Sequence, residues 1–234
     1  MDRLTRKELK TDKFAAEVSR TVEFLEEHRR ESIIIGVIAV VVVLAATGTY
    51  FYRKHEHLQR QRELRQALLV FEAPIGPNSN PYIVTFPTKE AKEAAVQKQL
   101  HGLIEKYPGT DEAAIAAYYL GVDAATKGDE KEAEKWFRTA MASDNKVYAS
   151  QASFSLAQLY AGIGKTEEAE KLLRELVAHP TILVSKEQAT IALARVLGKK
   201  NPEEARKLLE PLRTERSAVS RAALTALGEL SRQP

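Results

Sequence analysis

Gly162-Ile163-Gly164-Lys165-Thr166 has the residue types that close a phosphate-binding loop. Glycines let backbone N–H groups approach an anion, a lysine supplies charge, and a threonine hydroxyl can hold a metal. The spacing fails. Such a loop needs a glycine five residues before Gly164, and Leu159 stands there. No apolar strand precedes it either, so the segment reads as a turn between helices. The histidines, His28, His55, His57, His101 and His179, are scattered. His55 and His57 differ by two and point to different faces of a helix. No His-Glu-x-x-His pattern is present, and no partner sits beside them at metal-ligand spacing. The chain has no cysteine, which excludes disulfides, thiolate metal sites, a cysteine nucleophile and a cysteine-linked lipid anchor. Serine and aspartate form no nucleophile motif. Acid-base runs such as Asp129 to Lys135 read as solvated helix faces with i,i+4 pairs. The expectation is a protein without enzyme activity, metal or cofactor.

With so little chemistry to position, the scaffold carries the information. The chain of 234 residues is 44% hydrophobic and 29% charged, which permits a packed core. Outside one apolar block it is rich in Ala, Leu, Glu and Lys, with only 11 Gly and 9 Pro, so an all-α fold is expected. The net charge of +3 is thinly spread. A nucleic-acid binder shows a concentrated basic stripe, and none is present.

Residues Ile33 to Tyr52 contain no charged residue. Twenty residues at about 1.5 Å rise cover about 30 Å, the thickness of the hydrocarbon core. Tyr50, Phe51 and Tyr52 followed by Arg53 and Lys54 form one edge, and Arg29 and Arg30 the other. Such aromatic and basic belts meet headgroups. The preceding segment is too long for a signal-peptide n-region, so the block is expected to be an uncleaved signal anchor. Basic residues nearly balance across it: Lys13, Arg20, Arg29 and Arg30 before, and Arg53, Lys54, Arg60, Arg62 and Arg65 after. Charge therefore does not set the orientation. In the arm, Phe14, Val18, Val22 and Leu25 recur at helical spacing from about Lys13. This stripe suits a membrane surface, a partner, or a short solvated helix.

Beyond the block, a helix is expected over about Arg53 to Phe71 and another over Thr88 to Lys106, ending at Tyr107-Pro108-Gly109. Between them, residues 73–87 hold four prolines and a β-prone stretch, Tyr82 to Phe86, that either pairs with a partner strand or folds back. Residues 114–147 then place Leu120-Gly121, Gly128-Asp129, Ala133, Phe137 and Ala140 in the order of a tetratricopeptide repeat. Small residues at Gly121, Ala133 and Ala140 allow two helices to approach, and Leu120 and Phe137 fill the space between. Leu156-Ala157, Tyr160, Gly164, Ala169 and Leu173 repeat the pattern, 36 residues from Gly121 to Ala157. A degenerate third copy from about Lys186 has Leu193-Ala194, Leu197, Asn201 to Ala205 and Leu209, with a turn one residue short. Ser217 to Ser231 reads as a capping helix.

First helices of stacked repeats line a groove. In this register the exposed-row positions are Tyr118, Phe154 and Ile191, and Val122, Gln158 and Arg195. They form either a protein-binding groove or part of the packing between helices. They lack the Lys and Asn of repeats that grip acidic chain ends.

The order of arm, span, looser helical pair and repeats resembles the bacterial YfgM-like family over nearly the whole chain. That resemblance implies an inner-membrane protein whose repeats face the periplasm, an ancillary subunit of the SecYEG translocon linked to periplasmic chaperones. It divides the chain into a cytoplasmic arm at 1–32, a transmembrane helix at 33–52, a divergent helical pair at 53–112 and repeats with a cap at 113–234. The function expected is a membrane-tethered scaffold for polypeptides. A self-associating structural organiser and a cytoplasm-facing membrane adaptor are the alternatives.

Overall fold

The computed structural model describes residues 29–77, 80, 82–214 and 218–231. The apolar stripe Phe14, Val18, Val22 and Leu25 lies outside the described residues. Nine α-helices and one isolated β-bridge make up the regular structure among the described residues. The chain divides into two compact units, Met1–Leu58 and Gln59–Pro234. The first contains most of α1 (Arg29–Glu72). From Ile33 to Tyr52 the apolar side chains of this helix are exposed on every side, Ile33 to 57% and Leu44 to 65%, and none of its most apolar stretch is buried in protein. The helix is long and apolar enough to cross a membrane. Its two threonines satisfy their hydroxyls internally: Thr47 Oγ1 donates to the Val43 carbonyl at 2.7 Å and Thr49 Oγ1 to Ala45 at 2.8 Å. In hydrocarbon an unmet hydroxyl would be costly, and this back-bonding removes the cost.

The second unit starts within the last turns of α1. Leu64, Ala67 and Val70 pack with Val96, Leu100 and Leu103 of α2 (Lys89–Lys106) and with Ala116 and Leu120 of α3 (Asp111–Thr126). Arg60 Nε lies 3.2 Å from Glu112, whose side chain is 5% exposed. The proline-rich segment is tied at its ends: Gly76 N donates to the Phe86 carbonyl at 2.8 Å, and Phe86 N to the Pro74 carbonyl at 3.2 Å. Phe86 packs on the same core, while Tyr82, Ile83 and Val84 stay exposed. Folding back is thus achieved at Phe86 alone, through one parallel bridge to Ile75.

The repeats are helix pairs: α3 with α4 (Glu130–Met141), α5 (Lys146–Gly162) with α6 (Thr166–Ala178), α7 (Lys186–Leu197) with α8 (Pro202–Arg213), then α9 (Ala218–Ser231). Each helix packs on its chain neighbours, and the first helices also stack, α3 on α5, α5 on α7 and α7 on α9. The last helix therefore occupies the place of a first helix in a fourth pair. Side-chain caps from Thr110, Asp129, Asn145, Ser185 and Asn201 fix where helices begin. Gly128 and Gly164 close the first two turns at φ 79° and 80°. There Asp129 N and Lys165 N each donate at 2.9 Å to a carbonyl five residues back, Ala124 and Tyr160, as in a Schellman motif. In the third pair Asn201 N reaches back four residues to Leu197. This is the residue missing from the turn.

Leu120, Ala133, Phe137 and Ala140 are buried as the helix approach requires. A Cβ built on Gly121 would lie 2.6 Å from Phe137 Cδ1, so only glycine fits against that ring. The second and third pairs place Ala157 with Leu173 and Ala194 with Leu209, all buried. Each pair exchanges volume across the same contact.

A polar knot joins the first pair to the second. The Tyr160 hydroxyl donates to Glu134 Oε1 at 2.7 Å, Arg138 Nη2 donates to Tyr160 at 2.9 Å, and Lys165 Nζ reaches Glu134 at 3.3 Å. The Tyr160 bond, then Arg138 and Lys165, hold the Glu134 carboxyl below its ordinary range. A depressed carboxyl stabilises the fold fully above the unfolded value near ~4.3 and loses that contribution as pH falls through the folded one. Glu134→Gln is expected to cost about 0.5–1 kcal/mol at neutral pH, a surface-network magnitude, and almost nothing at pH about 3. Thermal melts across that range check it.

Candidate protein-binding surface

The six register positions fall into four environments. Val122 and Gln158, one from each of α3 and α5, line the same shallow cleft of about 380 Å³ together with Thr126, Ser155 and Leu159. Its floor is the Phe137 ring. Phe154 and Ile191 are each 7% exposed and share a buried cluster with Ala157 and Leu173. They point into the stack and brace α5 against α7. Tyr118 is half-buried. Its ring meets Phe137 at 6.0 Å and Tyr119 at 5.5 Å, and its hydroxyl accepts from Gln151 Nε2 at 3.2 Å. Arg195 is exposed and its Nε pairs with Glu229 of α9 at 3.1 Å.

Open, mixed-polarity surface thus sits at Val122 and Gln158, where a backbone can find hydrogen-bonding groups beside an aromatic floor. Thr126, Ser155 and Leu159 were not among the register positions. Their own spacing, one turn on from Val122 and flanking Gln158, is the signal that points to them.

Other segments with chemical promise are occupied structurally. Lys165 lies over the Tyr160 ring at 5.1 Å while pairing with Glu134, and Gly164 forms the inter-helix turn. His101 bonds Gln97 at 3.1 Å and meets the Trp136 ring edge-on at 5.0 Å. Among the described residues no group of three or more His, Asp or Glu could hold a metal ion.

Residues 114–185 match the family described as Tetratrico peptide repeat. The chain contains tetratricopeptide repeats. The match spans α3 to α6 and ends just before α7. No curated protein and no solved structure matches the chain. Tetratricopeptide repeats present extended surfaces to other proteins, and the cleft at Val122 and Gln158 lies between two stacked first helices, α3 and α5.

Proposed function

We propose that the protein is a membrane-tethered scaffold, without catalysis, that holds polypeptides or folding factors beside a protein-export machine. One observation carries this reading: a repeat array with an open cleft on its first helices belongs to the same chain as an uncharged helical stretch, Ile33 to Tyr52, exposed on all sides. The arm at 1–32 lies in the cytoplasm, residues 33–52 span the bacterial inner membrane, and the divergent pair and repeats lie in the periplasm. The near balance of basic residues is compatible with this, because long domains cross largely regardless of flanking charge. The likeness to the YfgM-like family supports the orientation and points to the translocon and periplasmic chaperones as partners.

Two measurements test it. An alkaline phosphatase fused after Pro234 is expected to be active; an inactive fusion with a protease-protected domain reverses the orientation. Affinity capture from gently solubilised membranes is expected to recover defined partners. Val122→Glu with Gln158→Glu, both at the cleft, should reduce capture about tenfold, equivalent to ~1.4 kcal/mol, in a chain that stays folded. An unchanged partner set would remove the cleft from the binding surface.

A further inference from the structure

A second kind of cleft recurs on another face of the repeats. One lies at the start of α3 and the end of α4, with Ala113, Ala114, Thr139 and Ser143 in its wall and a volume of about 290 Å³. The other lies at the start of α5 and the end of α6, with Ala149, Ser150, Glu175 and His179 in the corresponding places and about 380 Å³. The four pairs are each separated by the 36 residues that part Gly121 from Ala157. On α5 this face lies roughly 110° round the helix from Phe154 and Gln158, at about 100° per residue.

The cause is legible in the repeat pattern, which places tryptophan three residues before the Leu of Leu-Gly. Here those positions hold Ala117 and Ser153, both buried. Ala117 is packed against Ala140 and Ala152, whereas at Ser153 a small side chain stands in the cleft wall where the pattern has its largest. Ser153 lines the second cleft and is 8% exposed, yet its hydroxyl makes no hydrogen bond among the described residues. Its neighbours are engaged: Ser150 Oγ donates to the Val147 carbonyl at 2.7 Å and lies 2.7 Å from Thr181 Oγ1, which accepts from Val184 N. A buried hydroxyl without a partner is a standing cost that a polar ligand group would remove.

We propose that the Ser153 cleft is a binding site for an indole or phenol side chain of an extended partner polypeptide, its polar edge hydrogen-bonded to Ser153 Oγ. Met141 and Leu176 supply the apolar walls, and a thioether beside an aromatic ring is a favourable contact. Lys146 and Glu175 at the rim carry no ion pair among the described residues, leaving a donor and an acceptor for the partner's main chain. The Ala113 cleft takes a second apolar side chain of the same segment. Packed helices lie roughly 8–10 Å apart, and a polyproline II segment presents the same face every three residues, about 9 Å on. The site rests on the reading of the repeats as a polypeptide-binding array but uses a different face.

The test uses the full chain in detergent with ¹³C-methyl methionine, because its only methionines are Met1 and Met141. The probe is a nine-residue peptide with a central Trp-Pro-Pro-Trp, compared with the same peptide carrying Ala for both Trp. Ring currents are expected to move the Met141 methyl signal upfield with the Trp peptide, leaving Met1 in place, and the Ala peptide should move neither. Ser153→Trp fills the cleft and is expected to weaken the Trp peptide at least about tenfold. A Met141 signal unmoved at saturating peptide overturns the proposal. So does a Ser153→Trp chain that melts like wild type and binds the peptide unchanged. If Ser153→Trp does not fold, the wild-type titration alone decides. A Met141 shift that survives Val122→Glu with Gln158→Glu separates this site from the first-helix cleft.

Discussion

Phe137→Ala is expected to lower the unfolding free energy by about 3–5 kcal/mol, the cost of removing a fully buried aromatic ring from a core that cannot collapse around it. The ring is 2% exposed and touches Gly121, Tyr118 and the helices of two repeats. Gly121→Ala should cost about 1–3 kcal/mol by the opposite route, since its new Cβ would stand 2.6 Å from Phe137 Cδ1 in a packed interior. The two effects share one contact, so they should not add. Gly121→Ala with Phe137→Leu recreates the Ala157–Leu173 and Ala194–Leu209 pairings of the other repeats. In the cycle of wild type, Gly121→Ala, Phe137→Leu and the double variant, the double is expected to be more stable than the two single losses sum to, by about 1 kcal/mol or more. Urea unfolding of the four chains measures the coupling. Strict additivity would mean that glycine and phenylalanine do not exchange volume across this contact.

Replacing Val42 and Val43 together with arginine should abolish stable membrane insertion. Eleven of the residues from Ile33 to Tyr52 are Ile, Val, Leu or Phe. At about 0.3–0.6 kcal/mol each, insertion gains ~3–7 kcal/mol from them. Two arginines at the helix centre add about 5–7 kcal/mol of cost, enough to offset that gain. A single Val42→Arg leaves a partial balance and should insert in part. Carbonate extraction of membranes distinguishes the three chains: wild type retained, the single variant divided, the double variant released. Retention of the double variant would place the anchor elsewhere.

Helix positions were readable where one residue type answers one steric demand. Gly128 and Gly164 mark turns because only glycine takes positive φ without strain, and both turns stand where the repeat offset puts them. Gly121 beside Phe137 follows from the same pattern. The uncharged stretch from Ile33 to Tyr52 is legible because length and composition alone make a helix apolar enough to cross a membrane. The surface was harder. Periodicity shows that Phe154 and Ile191 lie on the inner side of their helices, but whether that side meets solvent depends on how the next helix stacks. Here α7 covers Phe154, while Val122 and Gln158 remain open. The Ser153 cleft follows from what is missing, a bulky residue at that position, which matched residues do not mark. The proline-rich segment offered two pairings, and the outcome rests on Phe86 reaching the core that α1, α2 and α3 assemble.

Photo-crosslinking from the cleft in intact cells tests the central claim most directly. A benzophenone amino acid in place of Gln158, which is exposed beside Val122 and Ser155, reports only what touches the open surface of the repeats. The account predicts a small number of discrete protein adducts in the membrane fraction. They should disappear when Val122→Glu is added and persist when the crosslinker chain carries Glu134→Gln, which lies outside the cleft. Absence of any light-dependent adduct from a folded, membrane-inserted chain would contradict a polypeptide-binding role for this surface.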